Sequence, residues 1–514
     1  MFSTVMAGAI RGITSYITHV EVDASTGMPG IEMVGLLSSE VREARERVKV
    51  ALKNSEIKLP PMKITVSLSP ADIRKEGSAF DLPIAIGILA ALGHIPEDYL
   101  AKVLLIGELG LNGEVKPVKG ILPIVMEAKR AGCELCVVPE DNATEGAVID
   151  GIEVVGVNSL SQTLTFLNKS NQERIKMLPP VHVDMERLFS VKNQAENLDF
   201  ADINGQEGVK RAVEVAAAGF HHVLLIGPPG SGKTMIAKRI PSILPPLSME
   251  ESLEVSSIYS VAGMLNAKEN LIVNRPFLNP HHTISEQALA GGGRIPRPGV
   301  ISMAHRGVLF LDELPEFKRA TLDLMRQPLE DRNVHIARSY GTFVYPADFM
   351  LVGALNPCPC GYYPDRNRCN CSEYEVKKYM GRISGPILDR MDICVEAPRV
   401  DIRQLAENTA NESSETIRNR VMKARERQKR RFQNTRYRFN TDIGAGDIKE
   451  LCPLGSREQA FMEQVFERMN LSARAYHRMV KVARTIADLD DKDAIEVKHL
   501  SEAACFRMMD EMVK

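Results

Sequence analysis

The alternation of apolar and polar positions changes along the chain and divides it into regions. Residues 1–168 alternate short β-branched runs with helical patterns, which predicts an α+β domain. Residues 169–199 are polar, contain Pro179 and Pro180 and show little periodicity, so we expect a linker. Residues 200–400 combine buried strands with a Gly-rich turn and helices, which predicts an α/β domain. Residues 401–514 are helical and rich in charge.

Several individual elements follow from the same pattern. A β-hairpin is predicted at Val334–Tyr345, where apolar and polar residues alternate around a Gly turn. In the first region we expect strands at Ile17–Val22, Ile64–Leu68, Val103–Ile106 and Leu135–Val138, and helices at Ser38–Asn54, Leu82–Leu92 and Ile121–Ala131.

The composition is that of a folded, water-soluble chain. A length of 514 residues suggests about three domains. The hydrophobic and charged fractions, 44% and 25%, exclude disordered, collagen-like and all-membrane proteins. The longest apolar stretch, Leu82–Gly93, is too short to span a bilayer, and the N-terminus lacks the pattern of a signal peptide. We therefore expect a cytoplasmic protein with no membrane partner.

The net charge of −2 hides a strongly basic segment. Residues 418–438 contain ten Lys or Arg and one acid, a net charge of +9, which leaves −11 for the remaining chain. A basic helix here would bind phosphates without sequence preference, and the candidate contacts are Arg427, Lys429, Arg430 and Arg431. The alternative is a solvated helix face at a subunit boundary.

The strongest chemical signal follows the apolar strand His222–Ile226 and precedes a helix. It is a complete G-x-x-x-x-G-K-T segment, made of Gly227, Pro228, Pro229, Gly230, Ser231, Gly232, Lys233 and Thr234. Glycines let consecutive backbone N–H groups and the helix N-terminus surround phosphates. Lys233 is expected to reach the β- and γ-phosphates, and Thr234 to ligate Mg²⁺.

Two later strands end in polar residues that suit hydrolysis. Val308–Leu311 is followed by Asp312, the expected Mg²⁺ partner, and Glu313, which would polarise the attacking water. A Glu at this position is typical of hydrolases. A third strand leads into Asn356, whose amide can position water against the γ-phosphate.

Four cysteines lie close together in the sequence. Cys358 and Cys360 form one C-x-C pair, and Cys369 and Cys371 form a second after eight intervening residues. Four thiolates at this range suit a structural, tetrahedral Zn²⁺. Free thiols or a redox pair are the alternative, since the spacing is tighter than the usual C-x₂-C.

Taken together, the phosphate loop, Asp312-Glu313, Asn356 and Leu388–Asp392 resemble the Walker A, Walker B, sensor-1 and arginine-finger segments of AAA+ ATPases. The chain is most similar to the Mg-chelatase-like ComM/YifB family, in the branch that also holds the MCM helicases. This resemblance covers essentially the whole chain and is carried by Arg275–His282, Gly291–Gly293, Pro298–His305 and Leu311–Phe317.

The resemblance implies specific roles and an oligomer. ATP and Mg²⁺ would be the cofactors, and Glu313 and Asn356 catalytic residues. Arg390 would complete the neighbouring subunit's ATP site, which implies a homo-oligomeric ring, usually a hexamer. Arg474 resembles the sensor-2 arginine of a C-terminal helical lid, with Arg478, one turn later, as the competing choice.

The N-terminal region resembles the Lon-protease fold in Glu76–Leu82, Gly107–Val118 and Val137–Asn142. Lon proteases use a Ser-Lys dyad, and Ser78 lies near the nucleophile position. The position expected for the lysine of the dyad falls at Ile121–Pro123, which contains no lysine. Lys119 is nearby but lies about three residues away from the expected position. We therefore expect an inactive protease fold used for packing or partner binding.

In the MCM group a hairpin before the sensor strand carries a basic residue that touches DNA in the ring channel. Arg338 holds the matching place in this chain, although a plain surface arginine is the alternative. The function implied is an ATP-driven DNA motor, specifically a branch-migration helicase for recombination in natural transformation. A chelatase-like ATPase that remodels a protein or metal-insertion partner is the alternative, and a Lon-like protease is a third possibility.

Overall fold

The computed structural model describes residues 1–96, 99–190, 198–265, 270–399 and 411–507. The predicted boundary between residues 400 and 401 lies outside these ranges. So do residues 191–197 of the predicted linker and the two ends of the predicted C-terminal region, 401–410 and 508–514.

The elements within residues 1–168 have an α+β arrangement around a mixed sheet, which confirms the predicted fold class of this region. Its strands are β1 (Phe2–Arg11), β2 (Thr14–Ser25), β3 (Gly30–Val34), β4 (Lys63–Ser69), β5 (Val103–Leu105), β6 (Glu108–Leu109), β7 (Val115–Lys116), β8 (Leu135–Pro139) and β9 (Glu153–Val157). Within the described ranges, seven of them form one sheet in the order β3-β4-β2-β1-β5-β8-β9, and β6 pairs with β7. The pairs β1/β2 and β2/β4 are antiparallel, and the other neighbours in the large sheet are parallel.

The helices of this domain are α1 (Ser39–Asn54), α2 (Asp81–Ala91), α3 (Ile121–Arg130), α4 (Ala143–Gly146) and α5 (Leu160–Leu167). The strands and helices predicted for this region are therefore confirmed. Helix α2 is buried along its whole length, because its sequence is apolar on every face. Its one acid, Asp81, forms an ion pair with Arg47 of α1, and Arg47 Nε lies 2.6 Å from Asp81 Oδ2.

The predicted linker contains two short helices, α6 (Asn171–Met177) and α7 (Met185–Ser190). The buried Arg174 of α6 donates hydrogen bonds to the carbonyl oxygens of Phe166 and Leu167 in α5. The first half of this segment therefore packs on the N-terminal domain.

The elements within residues 200–399 have an α/β arrangement around a parallel sheet, which confirms the fold class predicted for this region. The strands of this sheet are β10 (Val223–Ile226), β11 (Phe277–Leu278), β14 (Val308–Leu311), β17 (Met350–Leu355) and β18 (Ile393–Glu396), in the order β11-β14-β17-β10-β18. All neighbouring pairs are parallel. Strands β10, β14 and β17 are wholly buried, which explains their unbroken apolar runs.

The sheet is flanked by helices and two short ribbons. The helices are α8 (Glu207–Gly219), α9 (Lys233–Ile243), α10 (Met249–Ala262), α11 (Glu286–Ala290), α12 (Val300–Met303), α13 (Arg319–Asp323), α14 (Arg326–Asp331), α15 (Glu373–Met380) and α16 (Gly385–Leu388). The ribbons pair β12 (Gly291–Gly292) with β13 (Arg297–Pro298) and β15 (Asn333–Arg338) with β16 (Gly341–Pro346). The second ribbon is the predicted hairpin.

The C-terminal region is helical, as predicted. Its helices are α17 (Ser414–Arg431), α18 (Ile448–Leu451), α19 (Ser456–Arg468), α20 (Ala473–Leu489) and α21 (Val497–Cys505). Val421 and Ile486 from these helices share one hydrophobic core with Val213 and Ile236 from α8 and α9. Among the described residues, no helix is long and apolar enough to cross a membrane.

Candidate functional site

The phosphate loop joins β10 to α9 at the carboxyl edge of the parallel sheet. Gly230 and Gly232 have φ angles of 76° and 84°, a region that residues with a Cβ rarely adopt. A Cβ at Gly227 would lie 2.2 Å from the carbonyl oxygen of Ala397. The path of the loop therefore depends on these glycines, and it presents the amino terminus of α9 to a phosphate group.

The ammonium group of Lys233 is buried inside the loop. Its Nζ donates hydrogen bonds to the carbonyl oxygens of Gly227 and Pro228, at 2.7 and 3.0 Å, and to Oδ1 of Asn356 at 3.2 Å. Burial lowers the pKa of Lys233, and the nearby carboxylates of Asp312 and Glu313 only partly oppose this shift. Lys233 thus connects the loop to the end of β17.

Thr234 and Asp312 lie together, as the sequence predicts for a Mg²⁺ site. Thr234 Oγ1 donates a 2.7 Å hydrogen bond to Asp312 Oδ2. The contact arises because β10 and β14 both run parallel to β17, so their carboxyl ends lie at one edge. A hydroxyl and a carboxylate are oxygen ligands of the kind that Mg²⁺ takes beside substrate phosphates.

Glu313 and Asn356 lie at the same edge of the sheet. Glu313 has a φ of 52°, and its backbone N–H donates to Asp312 Oδ1 at 3.0 Å. Its side chain is 59% exposed and therefore accessible to water. His282 Nδ1, at the end of the Arg275–His282 segment, lies 3.8 Å from Glu313 Oε2.

Arg390 lies at the opposite, amino edge of the sheet. It forms an ion pair with Glu330 and donates a 2.6 Å hydrogen bond to the carbonyl oxygen of Pro386. Arg390 belongs to the turn before β18, whereas the phosphate loop follows β10. Since β10 has four residues of roughly 3.3 Å each, the two edges are about 13 Å apart along the strand.

Arg474 and Arg478 lie beside Arg390. All three line a shallow cavity of about 250 Å³, which Lys481 also lines. Arg478 Nη1 is 3.3 Å from the carbonyl oxygen of Met391, just before β18. The residue expected as a lid arginine is thus grouped with the arginine-finger candidate, away from the phosphate loop of its own subunit.

The four cysteines converge directly after Asn356. The sulfur atoms of Cys358, Cys360, Cys369 and Cys371 all lie within 4.8 Å of one another. Three of the sulfur pairs are 3.3, 3.5 and 3.7 Å apart. Tetrahedral Zn²⁺ with bonds of about 2.3 Å would hold sulfurs about 3.8 Å apart, whereas a disulfide needs about 2.05 Å. The donor set therefore fits a four-thiolate Zn²⁺ site.

Arg338 is exposed beside the turn of the β15–β16 hairpin. Its Nε donates to the carbonyl oxygen of Gly293 at 3.2 Å, so it lies beside the β12–β13 ribbon. That ribbon carries the exposed Arg294 and Arg297, which the sequence reasoning missed. Their proximity to Arg338 is visible only in the fold, because some 40 residues separate them along the chain.

The basic segment is not one exposed basic face. Helix α17 ends at Arg431, which pairs with the buried Asp488, and Arg427 pairs with Asp491 and Asp493. Lys429 and Arg430 are exposed. Of the four DNA contacts predicted in this segment, two are therefore engaged in ion pairs within the subunit.

Ser78 lies in the N-terminal domain, and its hydroxyl donates a hydrogen bond to Glu108. Lys119 is exposed, and both Ser78 and Lys119 line a cavity of about 980 Å³ that extends to the hairpin residue Tyr340. The carboxylate partner of Ser78 was not indicated by the sequence. That the protease fold is inactive stays a prediction.

Gln206 is a further residue that the motifs did not indicate. Its Nε2 donates to the carbonyl oxygens of Ser231 and Pro398, at 2.5 and 3.0 Å. It thus ties the phosphate loop to the segment after β18. No sequence signal could have found this contact, since Pro398 is 192 residues away.

Comparison with known proteins identifies the family. The chain is 42% identical over 513 residues to the uncharacterized protein YifB of Escherichia coli, covering 99% of this chain and 98% of the relative. It is 40% identical over 508 residues to the competence protein ComM of Haemophilus influenzae, covering 98% and 97%. The chain belongs to the ComM/YifB family. The predicted resemblance is therefore confirmed.

Family models agree with this assignment. Residues 199–405 match the family described as magnesium chelatase, subunit ChlI, residues 20–142 match subunit ChlI of Mg-chelatase, and residues 411–507 match the ChlI C-terminal family. Lon protease 2 of Bacillus subtilis is 27% identical over 234 residues, covering 41% of this chain and 42% of the relative. The chain thus belongs to the AAA+ ATPase class, and this class implies ATP and Mg²⁺ as cofactors.

Proposed function

We propose that this chain is an ATP-driven ring motor that moves on DNA. The observation that carries the ring is the separation of the expected ATP-site residues from the candidate arginines across the parallel sheet. Lys233, Asp312 and Asn356 lie at the carboxyl edge, and the cations Arg390 and Arg474 lie at the amino edge. One subunit can therefore supply the cations that another subunit's triphosphate needs. A closed ring satisfies this pairing for every subunit, and we propose a homo-hexamer.

Each residue at the carboxyl edge has a role in hydrolysis. Thr234 and Asp312 would hold Mg²⁺, which offsets phosphate charge when bound. Lys233 binds the β- and γ-phosphates, and Glu313 accepts a proton from the attacking water while Asn356 orients that water. Arg390, with Arg474 or Arg478, stabilises the charge that develops on the neighbouring subunit's γ-phosphate.

The DNA contacts are proposed at two surfaces. Arg338, with Arg294 and Arg297, presents positive charge on the paired ribbons. Lys429 and Arg430 present exposed positive charge at a second surface, on α17. Arg427 and Arg431 contribute less, since their guanidinium groups already pair with acids. Contacts of this kind bind the phosphate backbone and carry no sequence preference.

We further propose that the motor acts as a branch-migration helicase for homologous recombination in natural transformation, in the cytoplasm. Support comes from the ComM/YifB family and from the relative in H. influenzae that is called a competence protein. We also propose that Cys358, Cys360, Cys369 and Cys371 hold a structural Zn²⁺, because their sulfur spacing fits tetrahedral coordination.

The test is ATPase activity of the full chain with single-stranded, duplex and branched DNA, combined with native mass measurement with and without ATP. We expect DNA to stimulate hydrolysis at low salt and ATP to favour a ring. Lys233→Ala should abolish nucleotide binding or turnover, and Glu313→Gln should bind ATP yet hydrolyse it slowly. Full turnover by either variant would overturn the ATPase assignment.

A chelatase-like remodelling ATPase is the second candidate. It is favoured by the family models, whose descriptions all name a magnesium chelatase subunit, and by the internal pairing of the basic helix. The ATP site would be the same, and the molecule remodelled would be a protein or metal-insertion partner instead of DNA. This candidate would be favoured over the motor if no DNA stimulated ATP hydrolysis and if Arg338→Ala left DNA binding unchanged.

A further inference from the structure

The loop that carries the four cysteines lies directly against the phosphate loop. Gly361 follows Cys360, and a Cβ at Gly361 would lie 2.3 Å from Cδ and 2.8 Å from Cγ of Pro229. Gly361 also has a φ of 84°, which favours glycine. The backbone of the cysteine loop thus packs against the side chain of a phosphate-loop residue, with no space for a larger residue between them.

The position of Gly361 is set by one of the cysteines. Its backbone N–H approaches Cys358 O at 2.9 Å and Cys358 Sγ at 3.2 Å. The N–H of Tyr363 also donates to Cys358 Sγ, at 3.4 Å. Hydrogen bonds from backbone N–H groups commonly orient and support metal ligands. An ion bound to Cys358 would therefore fix the same turn that contacts Pro229.

The cysteine loop reaches the nucleotide site at a second point. Asn356, which bonds Lys233, is separated from Cys358 by Pro357 alone. The buried Cys358 thus lies between two contacts with the phosphate loop, one through Asn356 and one through Gly361. A shift of this short segment would displace both.

We propose that the metal-loaded cysteine centre positions the phosphate loop and Asn356, so that its occupancy sets the affinity for ATP and the rate of hydrolysis. This inference rests on the proposed ATPase and Zn²⁺ site. Four metal–sulfur bonds close the loop of residues 358–371 into one rigid unit. Without them Gly361 and Asn356 lose the support that holds them against Pro229 and Lys233. The cysteines are positioning residues, since none of them lies among the expected ATP contacts.

The first experiment measures metal and nucleotide binding on the full chain. Zinc content is determined by mass spectrometry, the ion is removed with a chelator, and binding of a fluorescent ATP analogue is titrated before and after. We expect one Zn²⁺ per chain, about 10- to 100-fold weaker nucleotide binding after removal, and recovery on adding Zn²⁺. Cys505→Ser, which changes an exposed cysteine elsewhere, should behave as wild type.

The second experiment keeps the metal and disturbs the contact. Gly361→Ala should retain Zn²⁺ but weaken nucleotide binding, because the added methyl group displaces Pro229. Gly132→Ala is the matched control, with a φ of 83° and no atom within 4 Å of the added Cβ. It imposes the same backbone strain far from the site and should bind nucleotide as wild type does.

Any one of three results would overturn the inference. The first is unchanged ATP binding and turnover in the metal-free protein, and the second is a Gly361→Ala variant indistinguishable from Gly132→Ala. Failure of the proposed ATPase would be seen separately, as full turnover by Lys233→Ala. The third result is that the chain contains no zinc when it is purified from zinc-supplemented medium and that Cys358→Ser is as active as wild type. This result would overturn the link between metal occupancy and ATP binding, and it would leave the ATPase assignment unchanged.

Discussion

Nζ of Lys233 and Oδ1 of Asn356 lie 3.2 Å apart, although 123 residues separate them in the sequence. The bond joins the loop that would bind the triphosphate to the amide that would orient water. The structure thus brings the residues expected to bind and to hydrolyse ATP into contact.

Replacing Asn356 should separate hydrolysis from binding. We expect Asn356→Ala to lower kcat by about 10²-fold, because the water loses its orientation while Lys233 keeps its carbonyl partners. The KM for ATP should change little. Steady-state ATPase assays and nucleotide titrations check this, with the exposed Asn419→Ala as control. A parallel loss of nucleotide affinity would contradict the assigned role.

The position of Arg390 predicts complementation between subunits. Arg390→Ala and Lys233→Ala should each be inactive, with the arginine worth about 10³- to 10⁵-fold in rate. Mixed before assembly, they should regain activity, since about a quarter of the interfaces then pair an intact lysine with an intact arginine. The measurement is ATPase activity against the mixing ratio. Arg468→Ala, at an exposed arginine on α19, should be active alone, and no recovery in the mixture would refute a shared site.

The hairpin predicts a salt-dependent interaction with DNA. Arg338→Ala should weaken binding of single-stranded DNA and lower the slope of log affinity against log salt by about 0.7 for each phosphate that the variant no longer neutralises. Fluorescence anisotropy at several salt concentrations measures both quantities. Arg468→Ala again serves as the control. An unchanged slope would mean that Arg338 is a surface residue with no role in DNA binding.

Two neighbouring basic residues of α17, Arg431 and Lys429, should differ in their effects on stability and on DNA binding. Arg431→Ala leaves the buried carboxylate of Asp488 with fewer partners, and we expect a loss of about 3 kcal/mol in unfolding free energy. Lys429→Ala, at an exposed position, should stay within about 0.5 kcal/mol of wild type and instead weaken DNA binding. Chemical denaturation and DNA titration of both variants test this contrast. Equal stability of the two would mean that the ion pair with Asp488 contributes little.

Much of the fold could be predicted from local pattern. Four strands of the first region, the hairpin at Val334–Tyr345 and the parallel strands before Gly227 and Asp312 were indicated by periodicity and turn residues. The phosphate loop was recognisable because its spacing is a property of contiguous residues. Gln206, Arg294 and Arg297 were missed, because each acts through a neighbour that is distant in sequence.

The sequence by itself determined the type of the strands and helices that have a clear periodicity, the phosphate-binding loop and the clustering of four cysteines, because these depend on residues adjacent in the chain. Only the tertiary structure decided which charges remain available. It paired Arg431 with Asp488, grouped Arg474 with Arg390 at the edge opposite the phosphate loop, and placed Gly361 against Pro229. The physical reason is that electrostatic pairing and close packing depend on distance in space, and chain folding sets those distances only when distant strands and helices come together.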